Sequence, residues 1–431
     1  MPNEGTYKIG QGCFRGNTGI MEVVIPEGVV EIQESAFFGC ENIARVTLPK
    51  TLRNIGQWAF YKNGITEIEI PEGTTAIEER AFEECSKLKQ VKLPETLQKI
   101  GECAFMNAPI ESVNIPKNIS NIEKFTFYGM QIKELNIPEG VVSIGDYAFN
   151  SDVLATSGVV EKISLPSTLK SIGDSAFGNC EKLREINLPD GLESIGSSVF
   201  KGSRIVTLSI PESVKSIGKY AFSGTRIVTL RIPGSVKSIG DHAFDSNDCL
   251  ETITIEGNPK LGEYVFCWCF KLKNVKLDDN IAEIPKGTFS MTTLEKIDLP
   301  TELKIIGDEA FDLCSLKSLK IPQKVTSVGE GAFRNTSLEM LAFSEGISMI
   351  PFEAMKNCTE LKAIYIPVNV KKIDMNAFVG CRSLTDVYYA GSEEAWKNIS
   401  IDGTGNEALA KAKIHANSSP TALELSNFLL K

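Results

Sequence analysis

Cysteine and histidine are the residue types most able to do chemistry here, and the chain has eleven cysteines but only His242 and His415. A Ser-His-Asp or Cys-His site would need one of these histidines, and neither has a catalytic motif around it. The Cys-Trp-Cys set at 267–269, with Cys249 one turn earlier, could be drawn as a zinc site. It lacks a paired knuckle and a histidine, so we do not predict a metal site there.

Seven of the cysteines share one position of an internal repeat, three residues after a Phe or Met. They are Cys40, Cys85, Cys180, Cys269, Cys314, Cys358 and Cys381. A disulfide between neighbouring turns is geometrically possible, but only Cys358 and Cys381 lie in adjacent turns. The pattern therefore favours small buried thiols over a bridged ladder, and it leaves open whether Cys358 and Cys381 bridge.

Carboxylates are plentiful, but the repeat spreads them evenly. Glu139 and Asp146, for example, have counterparts in Glu212 and Asp241. A general acid/base pair would have to break that regularity locally, and no break is visible. The glycines at 329–331 do not extend to a phosphate-binding motif. We therefore predict no catalytic residues, no cofactor and no enzyme activity.

The repeat itself covers most of the chain. An Ala-Phe pair or its equivalent recurs in seventeen units, nearly all of 22 or 23 residues, with Met355 in the one place that lacks Phe. The segment from the proline position to the next Phe has a constant length of 11 residues, except between Glu256 and Phe266, where it has 10. Insertion is confined to the other corner, where the longest connection contains residues 150–158.

Each unit reads roughly L-x-x-V-x-L-P followed by x-x-V-x-x-I-G-x-x-A-F. The apolar spacing of Leu88, Val91 and Leu93 is typical of a strand, and the proline that follows cannot donate a hydrogen bond to a ladder. One unit cannot bury its own apolar residues. Stacked units can, so the repeat predicts a solenoid with one parallel ladder running through successive turns.

The repeat fails after Ala390, which divides the chain into a solenoid at 1–390 and a C-terminal cap and tail at 391–431. Ser392 is a plausible helix N-cap, with Trp396 as an apolar plug. A second short helix is predicted at 406–413, then a last strand at KIHA and an amphipathic tail. The start at TYKIGQGCF lies inside a unit, so we expect the natural gene to extend upstream.

The unit x-L-x-x-V-x-I-P-x-x-V-x-x-I-G-x-x-A-F-x-x-C resembles the BspA-like leucine-rich repeats of bacterial surface and secreted proteins. The match extends from Tyr7 to Tyr389. The resemblance implies a leucine-rich-repeat solenoid with a parallel β-sheet on one face and short strands, turns and helical segments on the other. It also implies an extracellular or cell-surface location, and adhesion to host matrix proteins or other cells in some relatives. The family has no catalytic residues to transfer.

Recognition would then belong to side chains that the strands point away from the core. Two residues before the proline position, the middle of the chain carries small polar residues, whereas the C-terminal repeats carry Tyr. Met340 and Ala363, four residues before the proline position, accompany that change. The predicted ligand-binding residues are Met340, Ala342, Ala363, Tyr365 and Tyr388. An apolar, Tyr-bearing patch is typical of a protein-binding site. The alternative is that these residues lie beneath the C-terminal cap.

Bulk composition limits the remaining function classes. The net charge of −10 argues against nucleic acid as partner, and the chain has no apolar run long enough to insert into a membrane and no visible signal peptide. Two functions remain. In the first, the strand-lined face binds a protein or other macromolecular ligand, such as a host matrix or cell-surface protein. The other is a structural spacer whose recognition element lies outside the repeats.

Overall fold

The computed structural model describes residues 6–151 and 159–419. Its contacts divide the chain into two compact units, Met1–Val214 and Lys215–Lys431. Within each unit the repeats contribute short parallel strands of two kinds. Strands of the proline row end just before the proline position, and strands of the glycine row contain the Ile, Leu or Val that precedes the glycine position.

The first unit is built from sixteen described strands. They are β1 (Tyr7–Ile9), β2 (Glu22–Val24), β3 (Val29–Ile32), β4 (Arg45–Thr47), β5 (Asn54–Ile55), β6 (Glu67–Glu69), β7 (Ala76–Ile77), β8 (Gln90–Lys92), β9 (Lys99–Ile100), β10 (Ser112–Val113), β11 (Asn121–Ile122), β12 (Glu134–Asn136), β13 (Ser143–Ile144), β14 (Lys162–Ser164), β15 (Ser171–Ile172) and β16 (Ser194–Ile195). The glycine row pairs in the orders β1-β3-β5-β7-β9 and β11-β13-β15-β16. The proline row pairs as β2-β4, β6-β8-β10 and β12-β14.

The second unit continues the same two kinds of strand. They are β17 (Ser216–Ile217), β18 (Thr229–Ile232), β19 (Ser238–Ile239), β20 (Thr252–Ile255), β21 (Lys260–Leu261), β22 (Asn274–Leu277), β23 (Glu283–Ile284), β24 (Ile305–Ile306), β25 (Ser318–Lys320), β26 (Ser327–Val328), β27 (Met340–Ala342), β28 (Met349–Ile350), β29 (Ala363–Ile366), β30 (Lys372–Ile373), β31 (Asp386–Tyr389), β32 (Ser400–Ile401) and β33 (Lys413–His415). The glycine row pairs as β17-β19-β21, β23-β24-β26 and β28-β30-β32. The proline row pairs as β18-β20-β22 and β25-β27-β29-β31-β33. The predicted parallel β-solenoid is therefore confirmed.

The core of each unit is a stack of the repeated phenylalanines. From Phe14 to Phe149 and on to Phe177 and Phe200, the ring centroids of neighbouring turns lie 5.1–5.7 Å apart. In the second unit the stack from Phe222 to Phe333 has spacings of 5.3–6.0 Å. These separations suit offset aromatic stacking, so each ring packs against its own copies in the adjacent turns.

The corner around each phenylalanine is a run of turns, so the helical segments that the resemblance implied for the face opposite the sheet are not found at this corner. Residues two before and two after the Phe adopt positive φ, as Tyr264 (φ 56) and Trp268 (φ 60) do around Phe266. A left-handed residue on either side of the Phe prevents a right-handed helix from continuing. The glycine of the repeat is required for a different reason, which is the lack of space for a side chain. A Cβ on Gly101 would lie 2.5 Å from the backbone nitrogen of Glu79 in the preceding turn.

Two five-residue helices, α1 (Glu393–Lys397) and α2 (Glu407–Lys411), follow the last repeat. Ser392 Oγ accepts the backbone N–H of Ala395 at 3.1 Å, which confirms the predicted N-cap. Trp396 is half-buried and its ring meets Tyr389 edge-on at 5.3 Å. The predicted second helix and last strand are also confirmed, as α2 and β33. The division at 390/391 stays a prediction, because β32 and β33 extend the two strand rows beyond it.

Two predicted features fall outside the described residues, wholly or in large part. The amphipathic tail begins after Ser419, and residues 152–158 make up most of the long corner. Across the described residues, no helix has the length and apolar character that crossing a membrane requires.

Candidate functional site

The five predicted ligand-binding residues lie together on the outward face of β27, β29 and β31. Parallel register places Met340 beside Ala363, and Ala342 beside Tyr365, which in turn lies beside Tyr388. Strand alternation sends Leu341, Ile364 and Val387 to the opposite face, into the core of the solenoid. We call the five residues the tyrosine cluster.

Burial within the tyrosine cluster differs from the expectation that all five side chains face solvent. Tyr365 and Ala363 are only 1% and 9% exposed, and the partly buried Met340, Ala342 and Tyr388 pack against them. The Tyr365 hydroxyl donates to Glu345 Oε1 at 2.6 Å, so its polar end is satisfied. Burial, with the Glu345 contact second, raises the pKa of the Tyr365 phenol. The accessible part of the cluster is therefore Met340, Ala342 and Tyr388.

His415 joins the tyrosine cluster from the C-terminal segment. It lies beside Tyr388 in the β31–β33 register, with the two rings stacked at 4.6 Å between centroids. His415 Nε2 also lies 2.7 Å from Asp386 Oδ1, and this hydrogen bond is the main reason that the pKa of the Asp386 carboxyl falls below its ordinary value. The cap strand thus borders the cluster on one side, as the alternative interpretation of these residues anticipated in part.

Ion pairs between turns flank the apolar surface. Lys362, next to Ala363, bonds Glu339 at 2.7 Å, and Lys317 bonds Glu295 at 3.0 Å two turns away. These side chains are mostly exposed, so such pairs contribute little to stability. An apolar centre with a charged rim is the usual composition of a protein-binding surface.

The repeated cysteines are free, as all eleven are, and the prediction of small buried thiols is confirmed. Six of the seven donate from Sγ to the carbonyl of the Phe or Met one turn earlier, at 2.9–3.4 Å. Asn63 occupies the same repeat position and donates to Phe37 in the same way at 2.8 Å. Burial raises the pKa of the Cys85 and Cys180 thiols to about 12, so these groups stay protonated and unreactive.

The other chemical candidates have structural surroundings. The His242 side chain is 29% exposed, and its ring stacks between those of Tyr220 and Tyr264, with centroids 4.7 and 5.1 Å away. Cys269 donates to the Phe244 carbonyl. Nowhere in residues 6–151 and 159–419 do three or more His, Cys, Asp or Glu side chains gather with the geometry of a metal site.

Comparison with known proteins shows that one family model matches most of this chain. The model of the BspA type leucine rich repeat region matches residues 7–129, 99–160, 151–273 and 259–385. No curated protein matches the chain.

Among solved structures, the first described here gives the same indication of fold. A leucine-rich repeat protein from Bacteroides ovatus is 26% identical with a TM-score of 0.55, over 94% of this chain and 87% of that one. A leucine rich cell surface protein from Faecalibacterium prausnitzii is 22% identical with a TM-score of 0.34, over 92% and 86%. A leucine-rich repeat protein from Eubacterium ventriosum is 21% identical with a TM-score of 0.39, over 70% and 84%.

Proposed function

Because this chain belongs to the BspA-type leucine-rich repeat family, we propose that it is a non-catalytic binding protein of the cell surface or the extracellular space. Its partner is a protein, such as a host matrix or cell-surface protein, and its role is adhesion. The contact surface is the outward face of the proline row. Leucine-rich repeats generally serve as protein-binding scaffolds, which supports the assignment.

The observation that carries the proposal is the tyrosine cluster. Met340 and Ala342 on β27 and Tyr388 on β31 expose apolar surface on either side of the buried Ala363 and Tyr365, which lie on the intervening strand β29. A partly exposed aromatic ring held by packed neighbours loses little conformational freedom on binding, which is why Tyr is frequent among hot-spot residues. The charged rim at Lys362 and Glu339 supplies the polar border that such surfaces carry.

Replacement of Tyr388 by Ser tests the proposal without opening the core, because Tyr388 is partly exposed whereas Tyr365 is buried. Biolayer interferometry would measure the binding of the whole chain to immobilised collagen, laminin and fibronectin. We expect at least one of them to bind, and Tyr388→Ser to weaken that binding by at least tenfold. Loss of one hot-spot side chain costs about 2 kcal/mol or more of binding free energy, which corresponds to a more than tenfold increase in Kd.

Tyr147→Ser is the matched control. Tyr147 is 38% exposed and stacks on Phe125 in the first unit, whereas the tyrosine cluster belongs to the second. Ser is compatible with the left-handed backbone of position 147, because Ser175 and Ser198 adopt the same left-handed φ at this repeat position. Equal affinity of the Tyr388→Ser variant and the parent chain would contradict the choice of surface. Absence of binding to all three matrix proteins would favour the spacer function instead.

A further inference from the structure

A groove lined by charged side chains opens on the proline row of the first unit. Its volume is about 560 Å³, within the range of ligand-binding pockets. Three successive turns line it with Glu161, Lys162, Lys182, Arg184, Glu185 and Arg204. Four cations and two carboxylates give this lining a net charge of +2, in a chain whose net charge is −10. We call it the cationic groove.

The cations of the groove differ in their pairing from several others on the same face. At some positions a cation and a carboxylate in neighbouring turns form a close ion pair, as Lys92 and Glu69 do at 2.6 Å. Arg231 and Glu256 do so as well, also at 2.6 Å. Among the described residues, none of the four groove cations has a carboxylate oxygen within 4.0 Å, although two carboxylates line the same groove. The four side chains are exposed, so they are available to an external anion.

The backbone ladder is also interrupted at the cationic groove. In neighbouring turns the Glu161 N–H donates to the Lys133 carbonyl at 2.8 Å, and the Val206 N–H donates to the Arg184 carbonyl at 3.1 Å. In the described structure, the equivalent bond from the Arg184 N–H to the Glu161 carbonyl is not formed. β14 pairs with β12 alone, and beyond the groove a single bridge joins Glu185 to Thr207. Unpaired backbone groups along a strand are the groups to which an added polypeptide bonds.

We propose that the cationic groove binds an acidic peptide segment of a protein partner. The partner's carboxylates bind Arg184 and Arg204, whose guanidinium groups can each hold a carboxylate through two hydrogen bonds, with Lys162 and Lys182 adding charge. The partner's backbone bonds the Arg184 N–H and the Glu161 carbonyl, which the repeat leaves without their ladder partner. A polypeptide offers both carboxylates and backbone donors. A uniformly anionic polymer would instead be repelled by Glu161 and Glu185.

This site is independent of the proposed adhesive surface. It lies in the first unit and shares no residue with the tyrosine cluster of the second. Loss of function at one site therefore leaves the other measurable, and the Tyr388→Ser variant should keep its affinity for an acidic peptide.

Charge reversal in the cationic groove tests the proposal with a defined probe. The probe is a fluorescein-labelled octapeptide of alternating Glu and Ser, titrated with the whole chain and followed by fluorescence anisotropy. A Lys-Ser octapeptide serves as its counterpart. We expect the acidic peptide to bind and the basic one to fail. The double substitution Arg184→Glu with Arg204→Glu should weaken binding by at least tenfold, because two attractions become repulsions.

The matched control is Lys276→Glu with Lys296→Glu. These are exposed cations on proline-row segments of the second unit, and their reversal changes the net charge by the same amount. Circular dichroism of both double variants checks that the fold is retained, as substitution of exposed side chains should allow. If the control pair weakens binding as much as the groove pair, or if the acidic peptide does not bind the parent chain, the proposal is overturned.

Two further probes separate a peptide from other anions. An octapeptide with N-methylated Ser residues keeps its carboxylates but loses half of its backbone donors, so we expect it to bind at least threefold more weakly. Unchanged affinity would overturn the proposal that the partner's backbone bonds to the groove. Heparin tests the polymer alternative. If heparin binds through Arg184 and Arg204 more tightly than the peptide does, the ligand is a polyanion and the peptide assignment is wrong.

Discussion

Single residues with positive φ determine which side chains each corner of the solenoid accepts. Most are not glycine, and each left-handed L-residue costs roughly 1–2 kcal/mol. Part of this cost is offset by a backbone bond to the next turn, as when the Tyr264 N–H donates to the Lys286 carbonyl at 2.8 Å. The ring of Tyr264 also stacks on His242, and its hydroxyl donates to Glu309. The side chain at such a position is therefore held firmly in place.

Gly287 and Gly331 occupy the same repeat position and provide a matched pair of substitutions. Both have left-handed φ, near 60° and 58°. A Cβ on Gly287 would lie 2.1 Å from the Tyr264 ring, whereas on Gly331 its nearest contact would be the flexible Arg334 guanidinium at 3.6 Å. We expect Gly287→Ala to lower the free energy of unfolding by about 1–3 kcal/mol more than Gly331→Ala, as overpacking does. Urea denaturation measures the difference. Equal losses of unfolding free energy in the two variants would contradict the expected clash with the Tyr264 ring.

At the scale of elements, the last strand, β33, does more than extend the ladder of the proline row. β33 places His415 against both Tyr388 and Asp386, one from each outward column of β31. The hydrogen bond to Asp386 stabilises the ionised carboxyl, so its folded-state pKa lies below the unfolded value. The stability that this bond contributes is present above the unfolded pKa, near 4, and is lost as the pH falls through the lower folded value.

His415→Phe keeps a ring beside Tyr388 but removes the hydrogen bond to Asp386. We expect the pKa of Asp386 to rise toward its ordinary value, as measured by carboxyl ¹³C NMR. The free energy of unfolding at pH 7 should fall by about 1 kcal/mol, and the deficit should shrink in acid. His242→Phe is the control, since Phe125 adopts the same φ at that repeat position. An unchanged Asp386 pKa in the His415 variant would refute the assignment.

At the scale of the whole molecule, the same contacts recur from turn to turn, so chemical reactivity is suppressed almost everywhere. Nine of the eleven cysteines are buried, Cys249 is half-buried and Cys13 is exposed. Burial raises the pKa of Cys103, Cys267 and Cys358 to about 11, and only the thiolate attacks a disulfide reagent. The native chain should thus have one rapidly reacting thiol, that of Cys13, and one slower thiol, that of Cys249.

Titration with a disulfide reagent at pH 8 tests this expectation. The native chain should release one equivalent of thiol rapidly from Cys13 and a second more slowly from Cys249, and all eleven only after unfolding. Cys13→Ser should remove the rapid phase while leaving the total after unfolding at ten. Mass spectrometry of the alkylated protein identifies each site. Rapid modification of Cys85 or Cys180 in the native chain would show that the thiol column is accessible.

The repeat alone was enough to predict the parallel solenoid and the column of buried thiols. Each of these follows from a pattern that is written within one unit and recurs, so local residue types carry the information. The sequence also predicted that Met340, Ala342 and Tyr388 belong to one patch, because equal repeat positions become neighbours when turns stack.

Only the tertiary structure decided what depends on contacts between different turns. The burial of Tyr365, the stacking of His415 on Tyr388 and the left-handed corners that replace helical segments belong to this class. So does the cationic groove, where side chains from three turns meet beside an interrupted ladder. Neighbours in a solenoid are a whole turn apart in the chain, and whether their backbones pair or separate depends on packing between units that no single unit encodes.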